Sequence, residues 1–185
     1  PLEELTDGDS RYYRGLLVAA ARETVLANVR CAEKSGLTVT AVDLSAFAVL
    51  RAMGRQTTLD VDTEALVDIG ARVTNVVVHS NGVPRLVRIL LNGGQDVTDA
   101  VAERLGISNS EAEGLKQRPE AITSSEQLAA VNRALTSTAQ EFVDGIRGSL
   151  DYYAASYPGA PVERILVSGG GSRLNGLVER LASAM

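Results

Sequence analysis

Three runs rich in β-branched residues, at positions 65–69, 74–79 and 84–90, follow one another with only Gly70-Ala71-Arg72 and Asn81-Gly82 between them. Asn-Gly is a strong hairpin signal, because both residues tolerate positive φ. Connections this short can join only antiparallel neighbours. The chain is therefore expected to contain a three-stranded antiparallel meander, and the remaining elements must pack on its faces.

The segments after the meander read mostly as helix. Gly93-Gly94 leads into 95–105, where Val97, Val101 and Leu105 recur at four-residue steps until Gly106. A second helix is expected over 108–116, with Ser108 as its cap and acids in its first turn. Residues 118–125, with Pro119 and two serines, read as a surface loop. The ladder Leu128, Val131, Leu135, Ala139, Phe142, Ile146, Leu150 and Tyr153 then holds one helix face for about seven turns. Residues 158–161 break that helix. Residues 162–168 read as a strand, Gly169-Gly170-Gly171 as a turn, and 172–184 as a closing helix with Leu174, Leu177, Val178 and Leu181 on one side.

Before the meander, 16–21 is a short apolar run expected to form a buried strand, and 22–35 shows helical spacing through Val25, Leu26, Val29 and Ala32 up to Gly36. Residues 39–44 read as another strand and 45–53 as a helix. The fold class is α/β. Pro1 stands where an initiator Met is expected, and an apolar run follows closely, which reads as a chain cut from a longer one.

Composition narrows the function classes. With 45% hydrophobic and 22% charged residues, the profile is that of a globular chain with an ordinary core. A net charge of -5 with interspersed acids and bases lacks a nucleic-acid footprint. Cys31 is the single cysteine, so thiols can build neither an intrachain disulfide nor a zinc site, and a reducing cytoplasm fits. Cys31 itself is expected to be a small core residue. No apolar run approaches the roughly 18 residues of a membrane helix, so a membrane link is expected only through a partner. His79 has no titratable partner nearby in sequence and reads as a surface or satisfied histidine.

Two turns could hold a nucleotide. In Leu66-Val67-Asp68-Ile69-Gly70 a buried strand ends in a carboxylate and a glycine. Gly70 would let the backbone approach a phosphate, the next amides could point at its oxygens, and Asp68 could hold Mg²⁺ through water. The plainer reading is a capped tight hairpin. In Ile165-Leu166-Val167-Ser168-Gly169-Gly170-Gly171-Ser172 a buried strand runs into three glycines and an expected helix N-terminus, which offers unpaired N–H groups. Neither a dinucleotide fingerprint nor a P-loop is present. The two turns lie roughly a hundred residues apart with mostly helices between them.

That order resembles the second lobe of the actin-like ATPase superfamily, of ribonuclease H-like fold. Within it, Val67-Asp68-Ile69-Gly70-Ala71, the run Arg85 to Leu90, and Gly169-Gly170-Gly171-Ser172-Arg173-Leu174-Asn175-Gly176-Leu177 resemble the PilM family of type IV pilus assembly proteins. So do Val18-Ala19-Ala20-Ala21-Arg22 and Val42-Asp43. The resemblance implies ATP and Mg²⁺ as cofactors, with Asp68, Gly70, Ala71 and Arg72 in the second phosphate loop and Gly169, Gly170, Gly171 and Ser172 in the adenosine loop. It also implies Glu113 and Lys116, three residues apart on one helix face, as contacts to ribose and adenine; the alternative is a solvated ion pair. Arg72 stands where a smaller residue would leave more room, and either touches a phosphate oxygen or faces solvent.

The same resemblance implies a division into residues 1–58, a remnant of the first lobe and its inserted subdomain, and residues 59–185, the second lobe with a helical insert at about 93–127. With one Asp-Ile-Gly motif, most of the first lobe is expected to be missing. The implied role is a cytoplasmic scaffold at the inner face of the membrane, linking PilN and PilO to cytoplasmic machinery. Its partners would be the N-terminal cytoplasmic peptide of PilN, at a site mostly outside this chain, and further copies of itself. No catalytic residue is expected here, and any ATP turnover is expected to be slow and to need the other lobe. The alternatives are an FtsA-like cell-division scaffold and an actin-fold small-molecule kinase.

Overall fold

A computed structural model describes residues 3–8, 10–53 and 61–185. The boundary expected at 58–59 lies outside the described residues. The meander forms as expected: β3 (Thr63–Ile69), β4 (Thr74–Ser80) and β5 (Val83–Leu90) pair antiparallel in succession. Asn81 and Gly82 both take positive φ, 50° and 79°, as a tight turn between twisted strands requires. Strand β6 (Arg164–Ser168) adds in parallel to β3, giving a four-stranded sheet in the order β5-β4-β3-β6. Ahead of it, β1 (Glu3–Asp7) and β2 (Ser10–Arg14) make a separate hairpin, for which the sequence pattern gave no signal.

Helices cover both faces of the sheet. Helix α5 (Ser125–Ser156) is 32 residues long, roughly 48 Å. Its second half packs Phe142, Val143 and Ile146 against Val67, Ile69 and Val76. Near its end, Tyr153 meets Ala65 and Val78. Its first half leaves the sheet and packs Val131, Ala134 and Leu135 against α3 (Gly94–Leu105) and α4 (Asn109–Gln117). One continuous helix thus packs on both the small helical unit and the sheet. On the opposite face, α2 (Ser45–Met53) packs Ala46 and Leu50 on Leu66 and Val77. Strand alternation puts residues 64, 66 and 68 on the α2 side and 65, 67 and 69 on the α5 side.

The segment before α2 departs from expectation. Helix α1 (Arg22–Lys34) is present, but none of its residues is fully buried. Residues 16–21 and 39–44 are irregular rather than strands, and Leu17 is 95% exposed. A strand needs a neighbour to take its backbone hydrogen bonds, and neither run has one among the described residues. Cys31, expected in the core, is exposed, because among the described residues α1 packs against no core.

The C-terminal segment also differs. Instead of one helix over 172–184, a 3-10 turn at Gly170–Arg173 precedes α6 (Leu177–Ala184). Gly176, in the left-handed region at φ 74°, interrupts any continuous helix. Leu177 and Leu181 are buried as expected, whereas Val178 is largely exposed.

Candidate functional site

Three glycine turns meet at one end of the sheet. The first, Gly70 to Val73, links β3 to β4 and is closed by the Gly70 amide donating to the Val73 carbonyl at 2.9 Å. The second, Gly93-Gly94, opens α3; the amides of Gly94 and Gln95 donate to the carbonyls of Gly70 and Ala71 at 2.9 and 2.7 Å. The third follows β6 and packs on the end of β3. These contacts need glycine: a Cβ on Gly93 would lie 2.3 Å from the Ala71 oxygen, one on Gly169 2.3 Å from the Ile69 oxygen, and one on Gly171 2.2 Å from Ile69 Cγ2.

Beneath these turns, α3 and α4 are tied by Lys116. Its side chain is only 10% exposed. The ammonium donates to the Gly94 carbonyl at 2.9 Å and to Thr98 Oγ1 at 2.8 Å, and pairs with Glu113 Oε2 at 2.6 Å. Thr98 Oγ1 in turn lies within hydrogen-bond reach of Glu113. Burial pushes the Glu113 carboxyl upward, but the hydrogen bonds from Lys116, Thr98 and Gln117 outweigh it and hold the carboxyl below its ordinary value. Glu113 and Lys116 thus form an intrahelical ion pair that lines a cavity, and with Lys116 only 10% exposed the pair is not the solvated one of the alternative reading. Ser108 caps α4 in a reciprocal box with Glu111, which fixes the helix carrying the pair.

The cavity between the turns and these helices has a volume of about 770 Å³. That lies within the usual range for small-molecule sites. Gly70, Ala71, Glu113, Lys116, Gly170 and Gly171 line it, so six of the expected residues come together although they are far apart in sequence. Asp68, Gly169, Ser172 and Arg72 do not line it. Asp68 lies on the α2 side, its Oδ1 accepting from the Ser168 hydroxyl at 2.9 Å. Ser172 is turned back, donating to the Gly169 carbonyl at 2.7 Å, and Gly169 itself supplies the left-handed bend after β6. Arg72 is exposed.

The walls also include Gln95, Thr98, Arg173 and Asn175, which sequence reasoning passed over. Thr98 had a usable signal, since it stands one helical turn after Gly94. Arg173 and Asn175 had none beyond following the triple glycine.

The anion-binding devices differ from expectation in one respect. No helix N-terminus opens at the triple glycine, because a 3-10 turn stands there and α6 begins only at Leu177. The first amides of α3 are already taken by the Gly70 and Ala71 carbonyls. The amides of Ala71 and Arg72, by contrast, have no backbone acceptor among the described residues. Asp68 is a lone carboxylate; among the described residues no group of three or more His, Cys, Asp or Glu could hold a metal ion together. A hydrated Mg²⁺ touching one carboxylate fits such a donor set better than a fully coordinated ion does.

At the opposite end of β3 lies a second polar cluster. Glu64 is buried between Arg164, whose guanidinium bonds its Oε1, and His79, whose Nε2 is 3.3 Å from its Oε2. His79 Nδ1 accepts from the Gly82 amide, which leaves the proton on Nε2 facing Glu64. Burial lowers the His79 pKa against the pull of Glu64, so the ring is neutral near pH 7. His79 is thus buried rather than at the surface, and only its Nδ1 is satisfied, since Nε2 lies near Glu64 without a hydrogen bond among the described residues.

The family described as Type IV pilus assembly protein PilM matches residues 6–185 of this chain. A solved PilM-PilN type IV pilus biogenesis complex is similar at 28% identity and a TM-score of 0.70, covering 89% of this chain and 46% of that one. The ethanolamine utilization protein EutJ from Carboxydothermus hydrogenoformans is similar in fold at 20% identity and a TM-score of 0.58, over 84% of this chain and 52% of that one. Ta0583, an archaeal actin homolog in complex with ADP, gives 18% identity and a TM-score of 0.57, over 77% and 48%. The cell division protein FtsA of Bacillus subtilis (strain 168) is 30% identical over 122 residues, 63% of this chain and 27% of FtsA. The chain spans about half the length of the solved structures it resembles. Its fold is actin-like, and with a family match running from residue 6 to its last residue, this chain belongs to the PilM family of type IV pilus assembly proteins.

Proposed function

We propose that this chain supplies one wall of an ATP site in a scaffold of type IV pilus assembly, and corresponds to the second lobe of the actin-like fold from about residue 59, with residues 1–58 belonging to the first lobe and its inserted subdomain. The observation that carries the nucleotide reading is the cavity under three glycine turns, with the buried Lys116 ammonium at its base. Gly70 and Gly171 let their turns pack against Val73 and Ile69, which holds their backbone at the cavity wall, and the amides of Ala71 and Arg72, without a backbone acceptor among the described residues, suit phosphate oxygens. Glu113 and Lys116 would then meet ribose and adenine, with Gly170 and Gly171 against the base. Asp68 would touch Mg²⁺ through water from the α2 side, and Gly169 and Ser172 would shape the turn without touching the nucleotide. The known ADP complex of the archaeal actin homolog supports the same reading.

In this role the nucleotide bridges two lobes and stabilises the conformation that partners read, rather than undergoing rapid turnover. The similarity to a PilM-PilN complex supports PilN as a partner, and with it a role at the cytoplasmic face of the inner membrane. Among the described residues no helix is long and apolar enough to cross a membrane, so attachment would run through that partner.

The test is a titration of Mg·ATP into the 185-residue chain, followed by backbone amide chemical shifts. Weak binding is expected, with a Kd near 1 mM, about -4.1 kcal/mol, because only one phosphate turn is present. The amides of Ala71, Arg72, Gly94 and Gly170 should move, and Lys116→Met should weaken binding. Shifts confined to residues outside this cavity, or no shift at saturating nucleotide, would refute the site.

A further inference from the structure

A groove unrelated to the glycine turns runs along the outer face of α5. At one end Arg104, from the last turn of α3, and Arg133 flank an open hollow of about 430 Å³ whose floor includes Thr136. At the other end a hollow of about 510 Å³ lies between α5 and α6, over Val143 and Ala184. Arg180, on the rim of the second hollow, reaches Thr136 in the first, its Nη2 lying 3.4 Å from the hydroxyl, and so lies between the two. From Asn132 to Val143 the groove follows α5 for roughly 16 Å.

We propose that this groove binds an acidic peptide segment of a partner protein, with its carboxylates against Arg104 and Arg133 and a small apolar side chain over Val143 and Ala184. Charge is the first reason. The chain carries a net charge of -5, yet three arginines line one groove, and among the described residues no ion pair neutralises any of them. Arginine suits this task because its planar fork meets a carboxylate with two parallel hydrogen bonds. Shape is the second reason. A lone anion would use only the Arg104 end, whereas the apolar end matches a side chain a few residues further along an extended peptide. Glu179 borders that apolar end, which repels an acidic residue there and sets the peptide's direction. A nucleic acid would need a broad basic field that this surface lacks.

The experiment uses fluorescence anisotropy at about 0.15 M salt, where the Debye length is about 8 Å. The probe is a labelled peptide with glutamates in its first half and leucines in its second. Controls are the same peptide with lysines for glutamates, and an oligothymidylate of equal charge. Binding of the glutamate peptide alone is expected, roughly tenfold weaker for the Arg104→Glu/Arg133→Glu double variant and less weakened for Arg180→Ala. All three side chains are exposed, so circular dichroism should show both variants folded. The proposal is overturned by absent binding, by equal binding to the double variant, by tighter binding of the oligothymidylate, or by displacement of the peptide with inorganic phosphate.

Discussion

Residues 16–21 and residues 65–69 are both short, nearly unbroken apolar runs, and local pattern gives each an equal claim to be a buried strand. One lies in solvent without regular structure, with Leu17 almost wholly exposed; the other is a central strand whose Leu66 has no exposed surface. The difference is in their neighbours. Residues 65–69 pair with β4 on one side and β6 on the other, and are covered by α5 and α2. Residues 16–21 have no such pairing or cover among the described residues. Hydrophobic pattern identifies a segment able to be buried; long-range pairing decides whether it is.

The largest expected effect falls on the covered run. Phe142→Ala removes the ring that α5 lays on Val67 and Ile69, and should cost about 4 kcal/mol in a urea unfolding titration. A loss as small as that of an exposed substitution would show that α5 does not hold the sheet. Next comes the turn that leans on this strand. Gly171→Ala should cost about 3 kcal/mol, because its methyl would overlap Ile69, whereas Gly170→Ala meets nothing within 4 Å and should stay within about 0.5 kcal/mol. Equal effects would contradict the packing of the third glycine turn on β3.

A smaller, pH-dependent effect is expected at the far end of β3. Burial depresses the folded-state pKa of His79 below its ordinary 6.5. The unfolded chain therefore takes up the proton first as pH falls, so this contribution is fully present above pH 6.5 and is lost as pH falls through the folded-state value. Unfolding midpoints measured from pH 8 to pH 5 should decline more gently in His79→Gln than in the unsubstituted chain. Parallel declines would mean that His79 does not control this limb. The smallest effect belongs to the exposed run: Leu17→Ala should change stability by no more than about 0.5 kcal/mol. A loss of several kcal/mol would mean that residues 16–21 are covered in solution and would erase the contrast.

Much of the sheet and its site could be read without coordinates. Asn81-Gly82 and the short link at Gly70 left the meander no alternative pairing, and the ladder from Leu128 to Tyr153 announced α5. Six of the expected nucleotide contacts share one cavity. The departures share a physical cause. The packing of Gly171 onto Ile69, which sets how the third turn sits on β3, is a contact between residues roughly a hundred positions apart. Arg173, Asn175 and Gln95 became wall residues only when α3, α4 and the third turn were brought together. The burial of Glu64 between His79 and Arg164 likewise needed strand registers that no local window contains.

The sequence by itself determined the element types of the sheet and of the long helix, the turn chemistry between strands, and the order of the two glycine motifs, because these follow from backbone preference and periodicity within a few residues. Only the tertiary structure decided which apolar runs are buried, which face of β3 carries Asp68, and which amides of the described residues find a backbone acceptor. Burial and hydrogen-bond satisfaction depend on partners distant in the chain, and a residue's own neighbours in sequence do not specify them.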